Sequence, residues 1–113
     1  MRDEEVLEEE NDVKEILNII RGHVLSAPVR LVISLVLLIR EEVEFNELQK
    51  ALGITPGALW SHILKMEKQG FIKMKRRLST KGPRLVITLT EKGREETIRY
   101  VEVLRKLIGI LNR

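Results

Sequence analysis

The sequence predicts a mainly helical α+β chain that carries one small β-hairpin. Three observations predict it. Apolar residues recur at helical spacing along most of the 113 residues. Gly53 separates two short helical segments. Residues 84–90 alternate with period two after a basic segment, 71–77, across a Lys/Gly/Pro link.

Residues 1–10 are mostly Glu and offer little to bury, so frayed helix or disorder is expected, and residues 1–11 read as an acidic tail. A first helix is expected after Asn11, a good N-cap type, with Val13, Ile16, Leu17, Ile20 and Val24 on one face and an end near Leu25. Ser26 is the expected cap of the next helix. Pro28 falls in its first turn, where a missing N–H does no harm. That helix should run to about Glu42. Residues 31–39 are apolar on every side apart from Ser34, the mark of a central helix packed all round.

A short strand is expected at 43–45, followed by a helix over 45–52 that buries Phe45, Leu48 and Leu52. Gly53 stands where a helix end favours a left-handed residue. Thr55 can cap a second helix, 56–69, with Pro56 at its first position. Leu59, Ile63 and Met66 form its inward stripe; Gly57, Ala58, Ser61, His62 and Lys65 lie on the opposite face. Strands 71–77 and 84–90 flank the link 78–83, giving a helix-turn-helix followed by a hairpin, or wing. Thr90 caps a last helix, 91–112, and Glu91 complements its dipole. Val101, Leu104, Ile108 and Leu111 step by 3, 4 and 3, the seam spacing of a helix pair. Gly93, in the first turn, should cost about 1 kcal/mol against Ala.

Length alone indicates one domain, placed at residues 12–113 with terminal helices at 12–25 and 91–112. The absence of cysteine excludes disulfides, thiolate metal sites and thiol catalysis. There is no Ser/His/acid signature, Gly-rich phosphate loop or metal-spaced ligand set, so neither an enzyme nor a cofactor is expected. The run 31–39 falls far short of the roughly 20 residues that span a bilayer. An acidic start does not read as a signal peptide, and a cytoplasmic location without membrane contact is expected.

The net charge of +3 hides a strong polarity. Residues 1–12 carry −6, residues 13–60 are neutral, residues 61–84 carry +7 and residues 85–113 carry +2. A block this basic in a near-neutral chain is a candidate phosphate footprint. The second helix of a helix-turn-helix enters the major groove N-terminal end first, where only hydrogen-bonding groups or methyls read base edges. Thr55, Pro56, Gly57, Ala58, Ser61, His62 and Lys65 are the expected contacts there. On the wing, 73–84, Lys75, Arg76, Arg77, Lys81 and Arg84 are expected on the backbone or minor groove.

His62 lacks partners for a metal site, so a DNA contact or structural hydrogen bond is expected. His23 is expected on a helix surface or interface. Trp60 is expected either to stack on DNA or pack on its backbone, or, as preferred, to pack beneath the N-terminal or central helix. The terminal helices carry more apolar residues than so small a core can cover. A homodimer is therefore expected, with Ile16, Ile20, Val101, Leu104, Ile108 and Leu111 at its interface. The rival expectation is a protein-interaction module of the transcription machinery whose wing only solubilises.

The chain resembles archaeal and bacterial winged-helix regulators related to the MarR and ArsR families over about two-thirds of its length. The carrying pieces are Ala27-Pro28-Val29-Arg30-Leu31, then Phe45-x-x-Leu48 and Leu52-Gly53-Ile54-Thr55-Pro56-Gly57-x-Leu59-x-x-His62. They continue with Met66-Glu67-x-x-Gly70-Phe71-Ile72, Gly82-Pro83-Arg84 and Leu89-Thr90-x-x-Gly93. Ala27 departs from the usual His, Ala58 from a polar residue and Trp60 from a small polar one. The resemblance implies double-stranded DNA as partner and dimerisation through the terminal helices. It also implies a transcriptional regulator, often a repressor; no residue identifies an effector.

Overall fold

The computed structural model describes residues 3–112, with side chains from Glu10 to Asn112. Five helices and a three-stranded sheet follow one another in the order α1 (Asp3–Ile20), α2 (Pro28–Arg40), β1 (Glu42–Glu44), α3 (Phe45–Leu52), α4 (Pro56–Lys68), β2 (Ile72–Ser79), β3 (Gly82–Leu89) and α5 (Glu91–Leu111), with a 3₁₀ turn at Val24–Ser26 before α2. The core gathers Leu25 from the 3₁₀ turn, Ile33 and Leu37 of α2, Leu48 of α3, Leu59, Ile63 and Met66 of α4, and Ile72 and Ile87 of the sheet.

The N-terminal half differs from expectation in four places. The first helix begins at Asp3, not after Asn11, and so runs through the acidic stretch. Glu is a good helix former that needs nothing to bury, and one continuous helix leaves fewer ends to cap. The helix also stops early, at Ile20, because Gly22 turns the chain with φ +73°. Ala27, not Ser26, occupies the N-cap of α2, without a side-chain cap; the Ser26 hydroxyl instead donates to the His23 carbonyl at 2.7 Å. Finally, α2 is not packed all round. It buries Ile33, Ser34 and Leu37, while Val32 and Ile39 are exposed.

The sheet has the order β1-β3-β2 and is antiparallel throughout. Its hairpin is longer than expected: β2 and β3 stay paired as far as Ser79 and Gly82, leaving only Thr80 and Lys81 in the turn. Gly82 takes φ +104°, which a side chain would resist. Pro83 lies in β3 beyond the reach of β1, where its missing N–H leaves no ladder bond open. Val43, Ile72 and Ile87 are buried beneath the sheet; Glu42, Glu44, Lys73, Lys75, Arg77 and Arg84 share its other face by register.

The first turn of α5 is stitched to the end of α4. Thr90 accepts from the Gly93 amide at 2.9 Å as N-cap and donates through Oγ1 to the Gly70 carbonyl at 2.5 Å. Its amide donates to the Phe71 carbonyl at 2.9 Å. Gly93 exists for this approach: a Cβ there would stand 2.0 Å from the Phe71 carbonyl oxygen. Buried Thr97 returns its hydroxyl to the Gly93 carbonyl at 2.6 Å. α1 and α2 both pack along α5. Among the described residues, no helix is long and apolar enough to cross a membrane.

Candidate nucleic-acid interface

α3 and α4 meet at a turn that local chemistry dictates. Gly53 ends α3 at φ +65°, and Gln49 reaches over the turn to donate to the Ile54 carbonyl at 2.6 Å. Thr55 Oγ1 then accepts from the Ala58 amide at 3.1 Å and Pro56 opens α4. Leu59, Ile63 and Met66 are wholly buried, and that stripe pins the helix. Thr55, Pro56, Gly57, Ala58, Ser61 and Lys65 are thereby all exposed, as a groove-reading face requires.

The two flanks of α4 are tied down differently. On one, Trp60 meets Phe45 of α3 edge to face, with ring centroids 5.9 Å apart. It remains 41% exposed and packs on α3, so the expectation that it lies beneath the N-terminal or central helix is corrected. On the other, half-buried His62 accepts at Nδ1 from Arg30 Nη1 of α2 at 3.0 Å. Arg30 is braced in turn by its Nε, which donates to the Val24 carbonyl at 2.6 Å. Partial burial first, and then the cations Arg30 and Lys65, hold the imidazole below the ordinary histidine range.

His23 is not a helix-surface residue. It caps the 3₁₀ turn, with Nδ1 accepting from the Leu25 amide at 3.0 Å, and stacks at 4.8 Å from Tyr100 and edge-on at 5.9 Å from Phe71. Its Nε2 lies 3.7 Å from Glu96. Among the described residues no group of three or more His, Asp or Glu is placed to hold a metal ion.

The wing divides its cations into two sets. Arg77 donates Nη1 and Nη2 to the two carboxylate oxygens of Glu42, at 2.5 and 2.9 Å. Arg84 Nε lies 3.8 Å from Glu44. These two expected DNA contacts are therefore matched by carboxylates of β1. The bond to Arg77, with its charge, pulls the Glu42 carboxyl below the ordinary range. Arg76 and Lys81 are exposed and, with Lys65 and Lys73, form no ion pair among the described residues. Lys75 is also exposed and acts on Glu42 only at longer range. Leu78, 85% exposed, stands among them.

Residues 29–108 match the winged helix DNA-binding domain family. The chain belongs to the winged helix DNA-binding domain family. A transcriptional regulator homologue from Pyrococcus horikoshii is 37% identical and superposes with a TM-score of 0.80, over 91% of this chain and 99% of that one. A PadR-like transcriptional regulator from Bacillus cereus, 22% identical, shares the fold at a TM-score of 0.65 over 78% of this chain and 91% of its own. An uncharacterized protein of Methanocaldococcus jannaschii is 35% identical over 66 residues, 58% of this chain and 72% of that protein. In this winged helix, α4 is the second helix of the helix-turn-helix and β2–β3 the wing. The family is one of DNA-binding domains, not enzymes, and the similar solved structures are described as transcriptional regulators.

The residues that the sequence did not mark for the site are Arg30, Glu42 and Glu44. Arg30 lay within the resemblance but carried no assigned role; its partner is 32 residues away. The carboxylates sat in a segment read only as a short strand, and the charge tally averaged them against distant bases.

Proposed function

We propose that this winged helix binds duplex DNA sequence-specifically as a homodimer, with α4 in the major groove and the wing on the backbone or minor groove, and that it acts as a repressor of the MarR/ArsR-like type. The observation that carries the reading is the exposed face from Thr55 to Lys65 together with the wing cations Arg76 and Lys81, which form no ion pair among the described residues. The contacts proposed are Thr55, Pro56, Gly57, Ala58, Ser61, His62, Lys65, Lys75, Arg76 and Lys81. Arg77 and Arg84 join them only when they leave their carboxylates.

Exposed apolar side chains on the terminal helices support the dimer: Leu17 and Ile19 on α1, Ile98, Ile108 and Leu111 on α5. Ile16, expected at that interface, is already buried in its own chain, and Ile20 packs against the core. Val101 and Leu104 are half-buried, so the exposed part of the expected seam is Ile108 and Leu111. At 21 residues, α5 is about 32 Å long, enough for a two-fold seam.

Selection of bound duplexes from a random pool tests the whole reading. A pseudo-palindromic motif and a steep loss of affinity with salt are expected. A protein that ignores duplex DNA in dilute buffer belongs instead to the protein-interaction class, a reading favoured by the carboxylate-matched arginines of the wing.

A further inference from the structure

The Arg30–His62 contact settles where the imidazole proton sits. A guanidinium has only donors and keeps its proton in proteins, so Nδ1 must be the acceptor. A neutral ring that accepts at Nδ1 carries its hydrogen on Nε2. The opposite tautomer would set an N–H against the guanidinium, and the imidazolium would add a second positive charge there. Nε2 makes no hydrogen bond to any described residue, and it is absent from the buried polar atoms left without partners, of which the Ser34 hydroxyl is the one identified. It is therefore open to solvent, at the margin between the buried stripe of α4 and its exposed face.

We infer that Arg30 is a positioning residue for base reading: by donating to Nδ1 it makes His62 Nε2 an obligate donor, which selects a hydrogen-bond acceptor on a major-groove base edge, namely purine N7, guanine O6 or thymine O4. This rests on the proposed placement of α4 in the groove. The exclusion is as informative as the selection. Locked in this form, His62 cannot accept from the amino groups of cytosine or adenine, so its base preference is one-sided. Arg30 contributes to specificity from α2, a helix away, with its own aim fixed by the Val24 carbonyl.

Two measurements on the full chain test the inference. Long-range ¹H–¹⁵N spectra of the free wild-type protein locate the proton; it is expected on Nε2, and a proton on Nδ1 overturns the idea with no variant required. Binding to the duplex selected from a random pool, and to a set with each base pair changed or each purine replaced by its 7-deaza analogue, then reads specificity. His62→Ala and Arg30→Met are each expected to lose roughly three- to tenfold discrimination at one and the same base pair per half-site, the scale of one hydrogen bond. Arg30→Met should also blur the tautomer signature, which a merely structural role would leave in place. Equal weakening on every duplex by His62→Ala makes the ring a phosphate contact and overturns the proposal, as does unchanged discrimination. Failure of the wild type to bind any duplex brings down the DNA reading itself, a result separate from either of those.

Discussion

Arg77 of β2 and Glu42 of β1 are joined by a two-pronged ion pair that passes over the intervening strand β3. The pair lies at the surface, where water and salt weaken it, so its value to folding is slight. Its larger effect is on function, because a guanidinium that faces a carboxylate is not free for a phosphate. Glu42→Ala is expected to release Arg77 toward DNA, raising affinity at low salt and steepening the log–log salt dependence by about one. Fluorescence titrations at several salt concentrations check this; an unchanged slope means that Arg77 stays off the DNA.

Arg76 and Arg77 are neighbours in sequence with opposite expectations. Arg76→Ala removes an unpaired cation and should lower the salt slope by about one, weakening all duplexes alike. Arg77→Ala removes a charge already matched and should change affinity much less. The same titrations compare them, and a larger loss for Arg77 would reverse the assignment.

Gly93→Ala forces a methyl against the Phe71 carbonyl, at 2.0 Å before any relaxation. Backbone must move, and a loss of about 2–4 kcal/mol is expected in urea melts. Gly109→Ala, in the same helix with open space around it, should instead stabilise α5 by up to about 1 kcal/mol. The two substitutions share one chemistry and differ only in what the new methyl meets.

Ser34 is wholly buried in α2, and its hydroxyl has no hydrogen-bond partner among the described residues. Ser34→Ala removes the stranded group and favours the helix, so a gain of about 1 kcal/mol is expected in thermal melts. A loss of stability would show that the hydroxyl is satisfied in solution.

The folded state holds His62 below the ordinary histidine range, so the unfolded chain takes up its proton first. Stability is then complete above the unfolded value of about 6.5, declines as pH falls through it, and levels off below the lower folded value. Melting temperatures between pH 5 and 8 should show this decline, and His62→Gln should flatten it. The Glu42 carboxyl, also lowered, works in a separate window: its pairing with Arg77 persists above the carboxylate range and is lost only as pH falls through the depressed folded value.

The recognition unit was the most legible part of the chain because its signals are local. Gly53, Thr55 and Pro56 each act within four residues of where they stand, and α3 begins and ends where they and the apolar spacing place it. Hydrophobic spacing also found the buried stripe of α4. What spacing cannot see is pairing across the chain. Arg30 meets His62 from 32 residues away and Arg77 meets Glu42 from 35. Counting charge by segment put Arg77 and Arg84 among the expected DNA contacts, although two carboxylates were close in space. The all-round apolarity of residues 31–39 implied burial on every side; the folded chain covers one side and leaves Val32 and Ile39 open. Ser26 looked like a cap, but its hydroxyl found the nearer His23 carbonyl first.

Thr90 and Lys92 fasten three consecutive carbonyls, those of Gln69, Gly70 and Phe71, to the root of α5. The Gly93 backbone lies against the same loop, close to the Phe71 carbonyl. A tilt of α5 would therefore be felt first at the C-terminal end of α4. In the proposed homodimer, that joint would couple whatever steers α5 to the angle between the two α4 helices.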